Sequence, residues 1–85
     1  MKVLHLLRSL DDERALATVR THAAEHPTSL LLLQDAVLDR IPAFQGTIYA
    51  LAEDVAARGK VADYEEIDYD EMVRLIFRHD KVISW

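Results

Sequence analysis

Cysteine is absent from this sequence of 85 residues, so the chain can form no disulfide framework. Glycine occurs only at Gly46 and Gly59, and two isolated glycines build neither a phosphate-binding loop nor a dinucleotide fingerprint. No apolar run approaches the roughly 18–20 residues of a transmembrane helix, and no N-terminal signal pattern is present. Together these absences predict a soluble, cytoplasmic protein with no nucleotide-dependent activity and no contact with a membrane.

Positive charge is also scarce in this chain. There are 10 lysines and arginines against 15 aspartates and glutamates, which gives a formal net charge of -5. Proteins that bind nucleic acid directly neutralise its phosphates with clustered basic residues. We therefore expect no direct binding to nucleic acid, which would reach this protein only as the ligand of a partner.

Hydrophobic residues, in contrast, make up 51% of the sequence. A single domain over residues 1–85 buries only about 60–65% of the surface that its unfolded chain exposes. Such a domain is marginally stable on its own, and it lacks a disulfide or metal framework. We therefore expect part of its apolar surface to be covered by another subunit.

Four consecutive leucines at positions 30–33, followed by Gln34 and Asp35, form the most informative stretch. A half-exposed strand would alternate apolar and polar residues, so this run indicates a strand buried on both faces at the centre of a parallel sheet. A buried helix is not excluded by periodicity, but the shortness of the run favours a strand. Gln34 and Asp35 then lie at its carboxyl end, where Asp35 either caps the next helix or contacts a ligand or partner.

The rest of the chain alternates between predicted strands and helices. In the last helix, we expect Met72, Val73, Ile76 and Phe77 to form the apolar stripe, with Asp68 or Asp70 as the cap. The pattern predicts an α/β fold, a three-layer α/β/α sandwich with a mostly parallel sheet of four to five short strands and right-handed crossovers. The expected strands are residues 2–7, 30–33, 47–51, 65–67 and, as an edge strand or extended tail, 81–85. The first expected helix starts near residues 9–12 and ends at 26, and the other expected helices cover 36–41, 52–59 and 70–79. Residues 43–46 and 60–64 are expected to be connections.

The four histidines do not form a recognisable metal or catalytic motif. His22 and His26 stand four residues apart on the first helix, but no third ligand is apparent and a solvated helix end explains them as well. His5 and His79 could act as acid or base, yet neither has a nucleophilic partner in the sequence. We therefore predict no catalytic residues, no metal and no cofactor.

Trp85 is the single tryptophan of the chain. So large an apolar ring is not expected to stay on a frayed segment, so it either folds back onto its own domain or docks against another subunit. Tryptophan is enriched among interface anchors, and a chain of this size has little spare core. We favour a partner contact, and name Gln34, Asp35 and Trp85 as the candidate contact residues.

Three segments together resemble the TusB/DsrH family of DsrE/F/H-like sulfur-relay proteins. They are residues 30–37, residues 49–59 with their Glu-Asp-x-x-Ala-Arg-Gly stretch, and residues 67–79, with Ser84 and Trp85 following. The resemblance implies a DsrE-like fold and membership of a hetero-oligomer with sister DsrE/TusD-like and DsrF/TusC-like subunits. In that family the complex passes persulfide sulfur toward 2-thiouridine at the tRNA wobble position, or works in dissimilatory sulfur oxidation.

This sequence departs from the family at one chemically important point. A sulfur carrier needs a thiolate to hold the persulfide, and this chain has none. Some relatives carry a cysteine in the first helix, where this chain has Arg20, Thr18 or Thr21. The resemblance therefore implies a non-catalytic relay subunit, with the active cysteine on the TusD-like sister.

A second interpretation stays open at this point. The chain could instead be a self-assembling homomer or a small-ligand-binding module that works outside the relay. An enzyme with its own active site is a distant third possibility.

Overall fold

The computed structural model describes residues 1–59 and 63–85, and within these ranges the chain forms one five-stranded sheet. Every strand pairs in parallel with its neighbours. The order across the sheet is β4-β3-β2-β1-β5, which places β2 at the centre. The strands are β1 (Val3–Leu7), β2 (Thr28–Leu32), β3 (Thr47–Leu51), β4 (Glu65–Ile67) and β5 (Lys81–Ser84).

Helices cover both faces of the sheet and give the predicted three-layer architecture. They are α1 (Glu13–Glu25), α2 (Ala52–Ala57) and α3 (Tyr69–Phe77), with a short 3₁₀ helix over Gln34–Leu38. Side chains from α1, α2 and the 3₁₀ helix share one hydrophobic cluster with Leu30 and Leu32. Side chains from α3 share a second cluster with Leu4 and Leu31. None of the helices within the described ranges has the length and apolar content needed to cross a membrane.

The leucine run lies in the central strand, as predicted, but that strand begins at Thr28 and ends at Leu32, so Leu33 lies beyond it. Leu30, Leu31 and Leu32 are fully buried, and alternation sends Leu31 to the face opposite Leu30 and Leu32. A strand that is apolar on both faces requires a helical layer on each side. The fold class read from this run is therefore confirmed.

The ends of α1 and α3 also follow the sequence. Asp12 caps α1 by accepting a hydrogen bond from the Ala15 amide at 3.1 Å, and Asp68 caps α3 by accepting from the Glu71 amide at 2.8 Å. Helix α1 ends at Glu25, and the cap residue His26 has an extended backbone ahead of Pro27. The predicted connection over 60–64 falls partly on residues 60–62, which lie outside the described residues.

The helix predicted over residues 36–41 is wrong in type and position. The chain instead makes the 3₁₀ helix directly after β2 and becomes extended at Asp39. Side chains from elsewhere hold this extended segment, since Asp39 accepts from the Asp11 amide and the Ile41 amide donates to Tyr64 Oη at 2.8 Å. These long-range bonds outweigh the local helical preference of the sequence.

The apolar stripe predicted for α3 is half wrong. Met72 and Ile76 pack on the second cluster, but Leu75 is the buried centre of that contact. Val73 and Phe77 are 46% and 83% exposed. The apolar arc of the helix is wider than the part that meets the sheet, so these two side chains lie on a flank in contact with solvent.

Replacing Leu31 or Leu32 with alanine tests the burial of both faces. Each change removes buried methyl groups and leaves a cavity, so we expect each to lower the free energy of unfolding by about 2–5 kcal/mol in urea titrations. Leu10, which is 45% exposed, serves as the control, and its change to alanine should cost less than about 1 kcal/mol. A loss below about 1 kcal/mol at either strand position would contradict a layer on that face.

Candidate functional site

The carboxyl edge of the sheet holds all three residues that the sequence singles out. Gln34 and Asp35 follow β2, and Trp85 follows β5. The structure places them in two separate clusters. Gln34 and Asp35 meet Asp54 and Arg58 of the α2 region, whereas Trp85 meets His5, which in turn meets His22.

Gln34 and Asp35 form a turn that is fastened to α2. Gln34 has a left-handed φ of 50°, and its backbone N–H donates to Asp54 Oδ2 at 2.8 Å. The Arg58 guanidinium donates from Nε and Nη2 to Asp35 Oδ1 at 3.1 and 2.9 Å. Arg58 Nη1 also lies 4.0 Å from Asp54 Oδ1, so one cation serves two carboxylates.

Helix capping by Asp35 is therefore wrong. The residue at the cap position of the 3₁₀ helix is Leu33, which makes no capping bond through its side chain, and the nearby Gln34 amide is bound by Asp54 instead. The Asp35 side chain is 70% exposed and turned toward Arg58. Because Arg58 is already shared by two acids, this cluster offers no free positive charge to an anionic ligand. The expected ligand or partner contact at Gln34 and Asp35 stays a prediction.

Trp85 folds back onto its own domain and closes a chain of three rings. Its indole Nε1 donates to His5 Nδ1 at 3.0 Å, and His5 Nε2 lies 2.9 Å from His22 Nδ1. The main chain is fixed as well, because the Trp85 amide donates to the Leu6 carbonyl and Arg8 Nε donates to the Trp85 carbonyl. The ring is half-buried against the first hydrophobic cluster, and its predicted contact with a partner stays a prediction.

The Trp85 indole determines which nitrogen of His5 carries the proton. An indole nitrogen can only donate, so His5 Nδ1 must be unprotonated and the proton of neutral His5 sits on Nε2. That proton is then donated to His22 Nδ1. The three rings lie in sequence, with centroids 6.1 Å apart for His5 and Trp85 and 5.0 Å apart for His5 and His22.

Burial keeps His5 neutral. It is fully buried in β1, and this desolvation, with lesser coulombic contributions from His22 and Lys81, lowers the pKa of His5 from 6.5 to about 4. A neutral imidazole with both nitrogens engaged has no lone pair or proton to offer a substrate. The acid–base role considered for His5 therefore has no geometric support in this arrangement.

The other histidine hypotheses also lack support. His22 turns toward His5, and within residues 1–59 and 63–85 no three His, Cys, Asp or Glu side chains gather as metal ligands would. His79 Nδ1 lies 2.7 Å from the Leu75 carbonyl, so it donates to the end of α3. The pairing of His5 with His22 was missed, although His22 continues the face that Ala15 and Val19 bury and His5 shares a strand face with Leu7.

An open cleft of about 670 Å³ lies at the opposite, amino edge of the sheet. Lys2 and Arg78 contribute positive charge to its lining. The C-terminal ends of α1 and α3 also meet there, and helix C-termini carry a negative partial charge. These opposing charges favour neither an anion nor a cation.

A scan against protein-family models matches residues 8–82 to the family described as DsrH like protein. This match covers most of the chain. The protein belongs to the DsrH-like family. The TusB/DsrH resemblance is thus confirmed, and with it the broader expectation of a sulfur-relay family.

The same fold is found in the crystal structure of the ychN protein from E. coli. It superposes on this DsrH-like chain with a TM-score of 0.72 at 15% sequence identity, covering 100% of this chain and 99% of the other. At so low an identity, the likeness shows the fold alone. The search of curated proteins found no match.

The first helix contains Thr18, Arg20 and Thr21, the three positions at which the family resemblance implies that the cysteine of some relatives would stand. Arg20 is exposed and its Nη2 donates to the Pro42 carbonyl at 2.8 Å, whereas Thr21 Oγ1 donates to the Ala17 carbonyl. Arg20 thus joins α1 to the loop before β3. Neither side chain has the chemistry of a sulfur carrier.

The buried, neutral His5 predicts that the free energy of unfolding falls in acid. The folded protein needs neutral His5, whereas the unfolded chain protonates it near pH 6.5, so this contribution is complete above pH 6.5 and is lost as the pH falls toward 4. We expect the free energy of unfolding to fall by up to about 1.4 kcal/mol per pH unit from this group. Urea titrations of the wild type and of His5→Gln between pH 7 and 5, above the range in which most carboxylates titrate, measure it.

The wild type is compared with two variants. His5→Gln should be less stable at pH 7 but show a shallower decline with acid. Trp85→Phe keeps the ring and removes the indole donor, so it should leave His5 easier to protonate and also flatten the decline. Equal slopes in all three proteins would show that His5 is not held neutral by this arrangement.

Proposed function

We propose that this protein is a non-catalytic subunit of a cytoplasmic sulfurtransferase complex, in which a sister subunit carries the persulfide on its cysteine. The observation that carries this proposal is the membership of a thiol-free chain in the DsrH-like family. Transfer of sulfane sulfur needs a thiolate that both attacks and releases sulfur. A family member without one contributes binding and shape to the complex.

The geometry of the described residues supports a scaffolding role. His5 and His22 bind each other, and Asp35, Asp54 and Arg58 form a closed group of ion pairs. These polar groups hold α1 against β1, and α2 against the turn after β2. Their bonds stabilise the carboxyl edge of the sheet as a rigid surface for a neighbouring subunit.

The proposed partners are sister DsrE/TusD-like and DsrF/TusC-like subunits. The proposed product of the complex is 2-thiouridine at the wobble position of tRNA, and the related role in dissimilatory sulfur oxidation is the alternative acceptor pathway. The net charge of -5 favours a tRNA contact made by another subunit.

A second candidate is a homo-oligomeric interaction module outside the relay. The exposed apolar flank of α3 supports self-association, because its row of apolar side chains can pack against a second copy. The position of the gene separates the two candidates. Genes for both sister subunits beside this one favour the relay, and an isolated gene favours the homomer.

Sulfur transfer from a cysteine desulfurase loaded with radiolabelled cysteine tests the proposal. The isolated protein should acquire no label that survives denaturation, because it has no thiol. When a TusD-like subunit is added, the label should appear on that subunit alone.

The variant Arg20→Cys provides the matched control for this assay. It places a thiol on the exposed side of α1, so any label that it acquires shows that the assay detects a persulfide on this chain. Denaturation-resistant label on the wild-type chain would overturn the non-catalytic role.

A further inference from the structure

One flank of α3 carries an exposed apolar stripe of Tyr69, Val73 and Phe77, which we call the α3 stripe. These residues are 52%, 46% and 83% exposed and follow one another at intervals of four. Side chains four residues apart lie on the same side of a helix, so the three form a continuous row along α3. Met72, Leu75 and Ile76 face the sheet, so the stripe is additional to the core contact.

Single exposed apolar residues are ordinary on protein surfaces, but a row over two helical turns is a feature of contact surfaces. The stripe spans α3 from its first residue to its last. The charged residues of α3 indicate which kind of partner packs against the stripe.

The two ends of α3 carry opposite charges. Asp70 and Glu71 lie in the first turn, whereas Arg74 and Arg78 lie in the last turn and at the C-terminal cap. Glu71 already binds both arginines within the helix, at 2.8 and 3.3 Å. Asp70 lies about 100° around the helix from Tyr69 and about 20° from Phe77, beside the stripe.

We propose that the α3 stripe packs against the α3 stripe of a second copy of this chain, antiparallel and across a two-fold axis at Val73. In that arrangement Tyr69 meets the partner subunit's Phe77, and Val73 meets its own equivalent. Asp70 falls between the partner's Arg74 and the partner's Arg78, about 3 Å along the axis from each at a rise of 1.5 Å per residue. The helix dipoles run antiparallel, which is also favourable.

A second copy fits because the row is self-complementary. An isologous contact requires one surface that matches itself after a two-fold rotation, with acid facing base and ring facing ring. The α3 stripe meets this condition in both its apolar and its charged residues. The pairing does not depend on sulfur transfer, so it can fail while the relay role stands.

The contact is small, so we expect a weak dimer. Nine helical residues extend over about 13 Å, and the paired helices bury less than the roughly 800 Å² per partner of a standard interface. We expect a dissociation constant of about 10–100 μM, which sedimentation equilibrium of the full chain measures over about 2–500 μM.

Variants in the stripe distinguish this contact from non-specific hydrophobic association. Val73→Ser with Phe77→Ser should weaken association by about tenfold or more, since Val73 lies at the two-fold axis and Phe77 is the large ring that contacts the partner's Tyr69. Leu10→Ser removes a similarly exposed apolar side chain elsewhere and should leave association unchanged. Circular dichroism confirms that each variant is folded before its mass is measured.

A charge exchange tests the antiparallel geometry. Asp70→Arg should weaken the dimer by about tenfold because it places like charges together, and adding Arg78→Asp should recover part of the loss, since the partner's Arg74 is unchanged. Both the recovery and the stripe effect support the proposal. The proposal would be overturned if the wild type is monomeric at about 500 μM, or if the stripe variant associates as strongly as the wild type. It would also be overturned if adding Arg78→Asp to Asp70→Arg recovers no association. Loss of binding to a sister subunit by a stripe variant of a monomeric wild type would assign the stripe to that partner instead.

Discussion

Burial of β2 on both faces is the constraint on which the rest of this structure depends. Leu30, Leu31 and Leu32 cannot all be removed from water unless helices cover the sheet from both sides. The parallel order of the strands follows, because each connection must cross over the sheet. Three connections place helical residues on one face, and the connection through α3 covers the other. This second face is covered by fewer side chains, and it is there that α3 leaves a row of apolar residues exposed.

The polar residues of the carboxyl edge are engaged with one another. His5 accepts from Trp85 and donates to His22, while Arg58 serves Asp35 and Asp54. In a chain without a thiol, these arrangements hold elements together and offer no reactive group. In the proposed complex, a DsrH-like chain of this kind contributes surfaces, and the sulfur chemistry belongs to the subunit that carries the cysteine.

The elements that sequence reasoning predicted correctly are those that local pattern decides. β3 coincides with its β-branched and aromatic run, and β4 has the predicted bounds. Asp12 and Asp68 act as caps because their bonds are made within three residues. The errors occur where distant residues decide. The 3₁₀ helix and Asp35 depend on Asp54, Arg58 and Tyr64, and the pair of His5 and His22 joins a strand to a helix 17 residues away. In α3 the spacing of the apolar residues indicated the apolar side of the helix. It did not indicate how much of that side the sheet covers.

Purification of this protein from its native cell under gentle conditions, followed by mass measurement of the intact complex, tests the central claim most directly. If the chain is a thiol-free relay subunit, it is recovered in fixed stoichiometry with a protein that carries a reactive cysteine. Blocking that cysteine with a thiol reagent should then add mass to the partner and none to this chain, which has no cysteine. Recovery of this chain without any cysteine-bearing partner, alone or as copies of itself, would contradict the account.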